Sequence, residues 1–197
     1  MPIQRSQNSI TVFTSALVFS NQQRRSRPCR LTYPKLQQES TPMKQFVAAK
    51  FHGIYVTEAN LNYHGSITLD PDHCEEVGIL PMEYVDIWNK NSGARISTYV
   101  IYGERGSKCC ILNGAAARTC QAGDQVIICS FNFLAPEQLE RIAPKILTFA
   151  PDNSVVDRLT YDASRSEAGE LKFSILDNGE PLPVPLHEQF LAKEPAE

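Results

Sequence analysis

A glycine–serine pair, Gly65 and Ser66, stands in the segment 60–67, which reads Asn-Leu-Asn-Tyr-His-Gly-Ser-Ile. Taken alone, the pair predicts only a turn that leads into a strand, because both residue types are common in turns. Three later segments carry or flank reactive side chains: 85–89 (Val-Asp-Ile-Trp-Asn), 95–99 (Arg-Ile-Ser-Thr-Tyr) and 113–117 (Asn-Gly-Ala-Ala-Ala). Their guanidinium, phenol and amide groups are able to hold a carboxylate and to move a proton.

Together with Lys50 and His52, these segments resemble the aspartate α-decarboxylase family, and they follow the same order along the chain. The resemblance covers residues 43–149, and the combination of Tyr-x-Gly-Ser with Asn-Gly-Ala-Ala-Ala is specific to it. It implies a pyruvoyl-dependent enzyme that converts L-aspartate to β-alanine and CO₂, which supplies pantothenate and hence coenzyme A biosynthesis. It also implies a cytoplasmic homotetramer with sites between neighbouring subunits.

The resemblance implies that the cofactor is made from the chain itself. Ser66 Oγ attacks the Gly65 carbonyl, the resulting ester eliminates, and the serine becomes a pyruvoyl group that forms a Schiff base with the substrate amine. The fold must strain the peptide bond or stabilise the oxyanion, and glycine before the cut leaves room for attack and tolerates unusual dihedral angles. Cleavage is either spontaneous or assisted by a helper protein. His64 departs from the family pattern beside the scissile bond, which bears on the cleavage rate.

The larger side chains take roles from the resemblance. Arg95 grips a substrate carboxylate through its planar fork, and Lys50 meets a carboxylate as a point charge. Tyr99 returns a proton to the substrate carbon, and Trp88 walls the pocket. Taken singly, each has a structural alternative: a surface salt bridge for Arg95, a solvated strand position for Lys50, and packing for the two aromatic residues.

The smaller residues take roles from the resemblance as well. The resemblance implies that Thr98 forms hydrogen bonds in self-cleavage and in the site. Because neighbouring residues of a regular strand point to opposite faces, Thr98 and Tyr99 could not both face the site, so we expect a local irregularity there. Asn113 hydrogen-bonds the imine or a carboxyl group. Gly114, Ala115 and Ala116 have no side chain or a small one, which would let their backbone N–H groups approach the substrate.

Short strands must position these residues. The pattern predicts strands at 46–57, 66–69, 84–88, 95–102, 108–112 and 125–134, with a hairpin turn at 91–93. Asp70 as N-cap and Pro71 in the first turn predict a helix that ends at Gly78. Many short strands with few short helices indicate an all-β fold and a small closed barrel, and the resemblance specifies a double-psi β-barrel.

Composition separates the ends from the middle. Residues 1–42 carry six basic residues and one acid, whereas 43–197 carry 13 basic and 21 acidic residues. We expect 1–42 to be a disordered or mis-annotated leader before a start at Met43, with an organellar transit peptide as the alternative. Residues 43–150 form the decarboxylase barrel, and 151–197 form a partly ordered extension in which 177–180 could turn a hairpin and three prolines exclude a central strand.

Bulk properties exclude several classes of protein. A net charge of -3 argues against nucleic-acid binding, and no apolar run approaches a membrane span. None of the six cysteines stands in a Cys-x-x-Cys pair, so we predict no metal site and reduced thiols. Two rivals stay open: the same chemistry on a different substrate, and an uncleaved barrel that serves as a binding module.

Overall fold

A computed structural model describes residues 41–182. Eleven strands account for most of the regular structure: β1 Lys44–Tyr55, β2 Glu58–Asn60, β3 Ser66–Leu69, β4 Tyr84–Asn89, β5 Arg95–Tyr102, β6 Cys110–Asn113, β7 Gln125–Leu134, β8 Lys145–Phe149, β9 Val155–Arg165, β10 Leu171–Asp177 and β11 Glu180–Pro181. The helices are short: α1 Pro71–Val77 and the 3₁₀ helices Gly114–Arg118 and Pro136–Arg141. The predicted all-β fold with short helices is therefore confirmed.

The strands form one sheet that closes on itself. Their order is β11-β10-β9-β8-β1-β7-β4-β5-β3-β6-β2. Beyond β1, the Val56 N–H donates to Asp124 O (2.8 Å), and the Thr57 N–H donates to Cys110 O (2.7 Å). The continuous segment 44–60 thus borders β7 through β1 and β6 through β2. This closure is what the double-psi β-barrel of the resemblance requires.

The barrel interior is filled by branched and aromatic side chains. Fully buried core residues include Phe51, Ile54, Ile67, Leu69, Ile87, Val100, Leu112 and Ile128. In β4 the buried Val85 and Ile87 alternate with Asp86 and Trp88, which are only half-buried. This period of two assigns one face of each strand to the core and leaves the other face as the outer surface.

Local signals set the helix bounds as predicted. Asp70 has extended backbone and its carboxylate accepts from the Asp72 N–H (3.0 Å), as an N-cap does. Gly78 ends the helix in the left-handed region, at φ 88°, where glycine is favoured. Strands β3, β5 and β7 also have the predicted bounds. Strand β1 begins two residues earlier than predicted, and β6 begins at Cys110 rather than at residue 108.

The chain after residue 150 contributes three strands. Strand β9 pairs antiparallel with β8, β10 pairs with β9, and the predicted turn at 177–180 joins β10 to β11. The extension therefore continues the sheet of the barrel, which the loosened sequence pattern did not predict. The prediction for residues 1–42 falls outside the described residues, apart from its last two positions. Within 41–182 the cysteines are free thiols, and no helix there has the length and apolar character needed to cross a bilayer.

Candidate active site

Ser66 opens β3 in the middle of the barrel sheet. Strand β3 runs parallel to β5, with Ile67 opposite Val100, and antiparallel to β6, with Ser66 opposite Asn113. The Ser66 side chain is fully buried. Because β3 lies between β5 and β6, Ser66 is flanked by the two strands that carry Arg95, Thr98, Tyr99 and Asn113.

Two partners orient the Ser66 hydroxyl. The Asn113 side-chain amide donates to Ser66 Oγ at 3.0 Å, and Ser66 Oγ donates to the His64 carbonyl at 3.4 Å. Asn113 is itself 3% exposed, and its amide also donates to Thr68 Oγ1 at 2.9 Å. A buried amide with two hydroxyl acceptors is held in one orientation, so the serine oxygen is fixed at the start of the strand.

The two glycines of the site have different steric requirements. Gly65 is outside the left-handed region, and a Cβ placed on it would meet no atom within 4 Å. Gly114 has φ +63°, and a Cβ there would lie 2.9 Å from both Gly65 Cα and Gly65 N and 3.0 Å from the Tyr63 carbonyl oxygen. The close approach that requires glycine is therefore at Gly114, which packs against Gly65. A side chain at Gly65 would meet no clash in the fold, and the room that glycine leaves for attack by Ser66 stays a prediction.

A cavity of about 200 Å³ opens beside Gly65. Its walls are Gly65, Ile96, Ser97, Thr98, Asn113, Ala115 and Ala116. Five of these seven residues were predicted from the sequence as cleavage or substrate-binding residues. The volume suits a small metabolite rather than a large cofactor.

The charged and aromatic site residues do not line this cavity. Arg95 stands opposite Trp88 on the neighbouring strand, with its guanidinium carbon 4.9 Å from the centre of the indole ring. Tyr99 stands opposite Tyr84, with ring centres 6.2 Å apart. Lys50 is half-buried on β1. None of Lys50, Trp88, Arg95 and Tyr99 is among the residues that line the cavity at Gly65.

The expected irregularity near Thr98 is wrong. Strands β4 and β5 pair without a register shift from Trp88–Arg95 to Tyr84–Tyr99. Thr98 is buried and Tyr99 is half-buried, as the alternation of a regular strand demands. Thr98 reaches the cavity because β5 adjoins β3, and no bulge is needed.

Burial lowers the pKa of two basic side chains on β1, Lys50 and His52. Burial lowers the pKa of Lys50, and the neighbouring Cys129 thiol opposes this effect. Burial lowers the pKa of His52 to about 4, and the positive charges of Lys50 and Lys90 add to the effect. His52 is therefore neutral at physiological pH, which leaves the cationic groups near it to lysine and arginine.

Two functional neighbours were missed by the sequence analysis. Thr68 accepts the second hydrogen bond of the Asn113 amide, and its position two residues after Ser66 on one strand was the available signal. Asp70 was predicted only as a helix cap, yet its buried carboxylate also accepts from the Gly106 N–H (3.1 Å) and the Lys108 N–H (2.6 Å). Burial raises the pKa of Asp70, but these backbone donors and His73 outweigh it, so the net pKa is lowered. Asp70 thus fixes the end of β3 to the loop that precedes β6.

Known proteins match the same part of the chain. The family model described as aspartate decarboxylase matches residues 43–156. An aspartate 1-decarboxylase of Methylobacterium nodulans is 68% identical over 133 residues, which is 68% of this chain and 88% of the relative. Aspartate 1-decarboxylase 2 of Mesorhizobium japonicum is 64% identical over 144 residues, 73% of this chain and 96% of the relative. An aspartate 1-decarboxylase of Beijerinckia indica is 60% identical over 145 residues, which is 73% of this chain and 97% of the relative.

Proposed function

The chain belongs to the aspartate decarboxylase family, and on that premise we propose that it cleaves itself between Gly65 and Ser66 and converts L-aspartate to β-alanine and CO₂. The observation that carries the proposal is the buried Ser66 hydroxyl, which the Asn113 amide orients beside a small cavity that Gly65 lines. The product β-alanine serves pantothenate and hence coenzyme A biosynthesis.

Self-cleavage begins with the Ser66 oxygen. Its lone pair adds to the Gly65 carbonyl carbon, the bond from that carbon to the Ser66 nitrogen breaks, and the nitrogen takes up a proton, which leaves an ester. Loss of the Ser66 Cα proton then expels the Gly65 carboxylate from Cβ. Water replaces the nitrogen of the resulting dehydroalanine, ammonia departs, and a pyruvoyl group caps the downstream fragment. The proposed role of Asn113 is to hold Oγ in place for the first step.

The residues around Ser66 fit a pyruvoyl group. The group would be built from residue 66 itself: Cβ would become its methyl group and the keto oxygen would replace the nitrogen, while Oγ leaves with the Gly65 carboxylate. The Asn113 amide, which donates to Oγ in the uncleaved chain, would then be available to donate to a carbonyl oxygen at this position. When formed, the pyruvoyl carbonyl supplies the electron sink that decarboxylation needs. The small side chains of Ala115 and Ala116 leave the cavity open beside it.

The residues proposed to contact the substrate, Lys50, Trp88, Arg95 and Tyr99, do not line this cavity within one protomer. That separation supports a homotetramer in which these residues of one protomer meet the cavity of its neighbour. There Arg95 and Lys50 would hold the two carboxylates of aspartate, Trp88 would pack on the substrate, and Tyr99 would return a proton to the substrate carbon after CO₂ leaves. Thr98 and Gly114 would complete the pocket wall. The proposed functional unit, residues 43–150, contains all of these groups.

A denaturing gel with intact-mass analysis tests the proposal. The purified 22.0 kDa chain is expected to separate into two fragments, with the break after Gly65. The downstream fragment should resist Edman degradation, because a pyruvoyl group has no amine. A single intact chain that folds but releases no β-alanine would instead indicate an uncleaved binding module. Expression in a purified translation system, with no other cellular protein, distinguishes spontaneous cleavage from cleavage by a helper.

The substrate is tested separately from cleavage. The matured protein is expected to release CO₂ from L-aspartate, and Arg95→Met should raise KM for L-aspartate strongly, because a dicarboxylate loses its bidentate partner. Faster turnover of an amino acid without a second carboxylate would show the same chemistry on another substrate. The oligomeric state follows from light scattering of the same sample.

A further inference from the structure

Thr68 shares one face of β3 with Ser66. The two residues are separated by two positions on the strand, so their side chains point the same way. Asn113 stands opposite Ser66 on β6 and therefore lies diagonally beside Thr68. The Asn113 amide donates to Thr68 Oγ1 at 2.9 Å, a distance as short as the 3.0 Å from the same amide to Ser66 Oγ.

The Asn113 amide spends both of its N–H groups on these two hydroxyls. A side-chain amide nitrogen carries two hydrogens, and one is directed at Ser66 Oγ and the other at Thr68 Oγ1. The Ser66 hydroxyl gives its own proton to the His64 carbonyl, so it accepts from the Asn113 nitrogen. Rotation of the amide away from residue 66 would therefore break two hydrogen bonds of a side chain that is 3% exposed.

Gly103 restricts the Thr68 side chain. The Gly103 N–H donates to the Leu69 carbonyl at 2.8 Å, which holds this glycine beside β3. A Cβ on Gly103 would lie 3.0 Å from the Thr68 methyl carbon, so that methyl group occupies space that a side chain at 103 would need. A β-branched side chain has few rotamers, and packing of the methyl group on Gly103 leaves the hydroxyl directed at Asn113.

Self-cleavage would remove only one of the two acceptors. In the proposed chemistry Ser66 Oγ leaves with the Gly65 carboxylate, whereas Thr68 Oγ1 takes no part in any bond that breaks. Without the Thr68 hydroxyl, the Asn113 amide would then lose its last acceptor on β3. With that hydroxyl, one N–H stays bound, and the N–H that Oγ releases stays directed at residue 66.

We propose that Thr68 is a positioning residue, whose hydroxyl holds the Asn113 amide toward residue 66 before and after the Ser66 oxygen departs. Thr68 acts through Asn113 and not on the reacting atoms. The inference rests on the proposed self-cleavage, and it adds a residue that this reaction needs.

The rate of fragment formation tests the role before cleavage. Thr68→Val keeps the shape of the side chain and removes the hydroxyl, and it should slow cleavage about tenfold. Thr68→Ser keeps the hydroxyl and should restore most of the rate. Thr148→Val is the matched control: it removes a hydroxyl that donates to the Asp157 carboxylate at 2.7 Å on β8, and it should cleave at the wild-type rate even if its Tm falls.

The role after Oγ departs is tested in Ser66→Ala, which lacks that oxygen and needs no change at residue 68. The side-chain amide protons of Asn113 are followed by NMR. One of them should exchange at least about tenfold more slowly than in a free asparagine side chain, because Thr68 still accepts it. Thr68→Val in the Ser66→Ala chain should remove this protection.

The possible failures are distinguishable. A wild-type chain that stays intact would refute the proposed self-cleavage itself. Cleavage of Thr68→Val at the wild-type rate, or equal slowing in Thr148→Val, would overturn the role of Thr68 alone. Fast exchange of both Asn113 side-chain protons in Ser66→Ala would overturn it as well, whatever the cleavage rates are.

Discussion

The contact between Gly114 and Gly65 predicts that Gly114→Ala slows maturation in a way that its loss of stability does not explain. The new Cβ would lie 2.9 Å from Gly65 Cα, and ordinary contact begins near 3.4 Å. The two backbones must therefore separate by at least half an ångström. Because a displacement of about 1 Å can cost roughly 100-fold in rate, we expect self-cleavage to slow by about tenfold or more.

The stability cost has two parts that a control variant separates. Alanine in the left-handed region costs about 1–2 kcal/mol, and the overlap with backbone adds about 1–3 kcal/mol. Gly93 has a similar dihedral angle, φ +75°, and a Cβ there would meet nothing within 4 Å. Gly93→Ala should therefore cost about 1–2 kcal/mol and Gly114→Ala about 2–5 kcal/mol, and each kcal/mol corresponds to a fall in Tm of roughly 2–4 °C.

The assay follows fragment formation on a denaturing gel over time, with circular dichroism and thermal unfolding of the same samples. Gly93→Ala is expected to cleave at the wild-type rate despite its lower Tm. Cleavage of Gly114→Ala at the wild-type rate would refute the steric argument. Equal slowing in both variants would show that cleavage follows overall stability rather than the local position of Gly65.

Three further predictions use other groups of the site and core. Ser66→Ala should give one intact, folded and inactive chain, because Oγ is the cleaving nucleophile; two fragments on the gel would contradict this. Tyr99→Phe should cleave normally and lower kcat by about 100-fold or more in the matured enzyme, and an unchanged kcat would exclude Tyr99 as proton donor. Burial lowers the pKa of His73, and this effect exceeds the opposite effect of nearby carboxylates. The folded state therefore favours the neutral imidazole. The free energy of unfolding should fall as the pH drops below about 6.5, the pKa of histidine in the unfolded chain, because the unfolded chain then binds the proton more readily. The free energy of unfolding in urea should be lower at pH 5 than at pH 7. This difference should be smaller in His73→Leu, and it should not vanish, because the pKa of His52 is lowered as well.

Local patterns predicted much of the architecture because their causes are local. The N-cap Asp70, the proline at the first helical position and Gly78 set the bounds of α1 without any distant contact. The bounds of β3, β5 and β7 agree with those predicted, and turn residues at 91–93 and 123–124 mark the starts of β5 and β7. The pattern failed after residue 150. Strand β9 pairs with β8, and β10 pairs with β9, so these half-exposed strands depend on pairing rather than on an apolar face of their own.

The constituents of the site were likewise present in the sequence, whereas their arrangement was not. Residue types and order identified Gly65, Ser66 and Asn113, and the resemblance assigned them roles. Only the fold brings the Asn113 amide to Ser66 across 47 positions, places Gly114 against Gly65, and leaves Lys50 and Arg95 out of the cavity lining. The alternation of side chains along a strand depends on that strand alone. A contact between two strands depends on which strands pair and in what register, and the pairing is determined by the sheet as a whole.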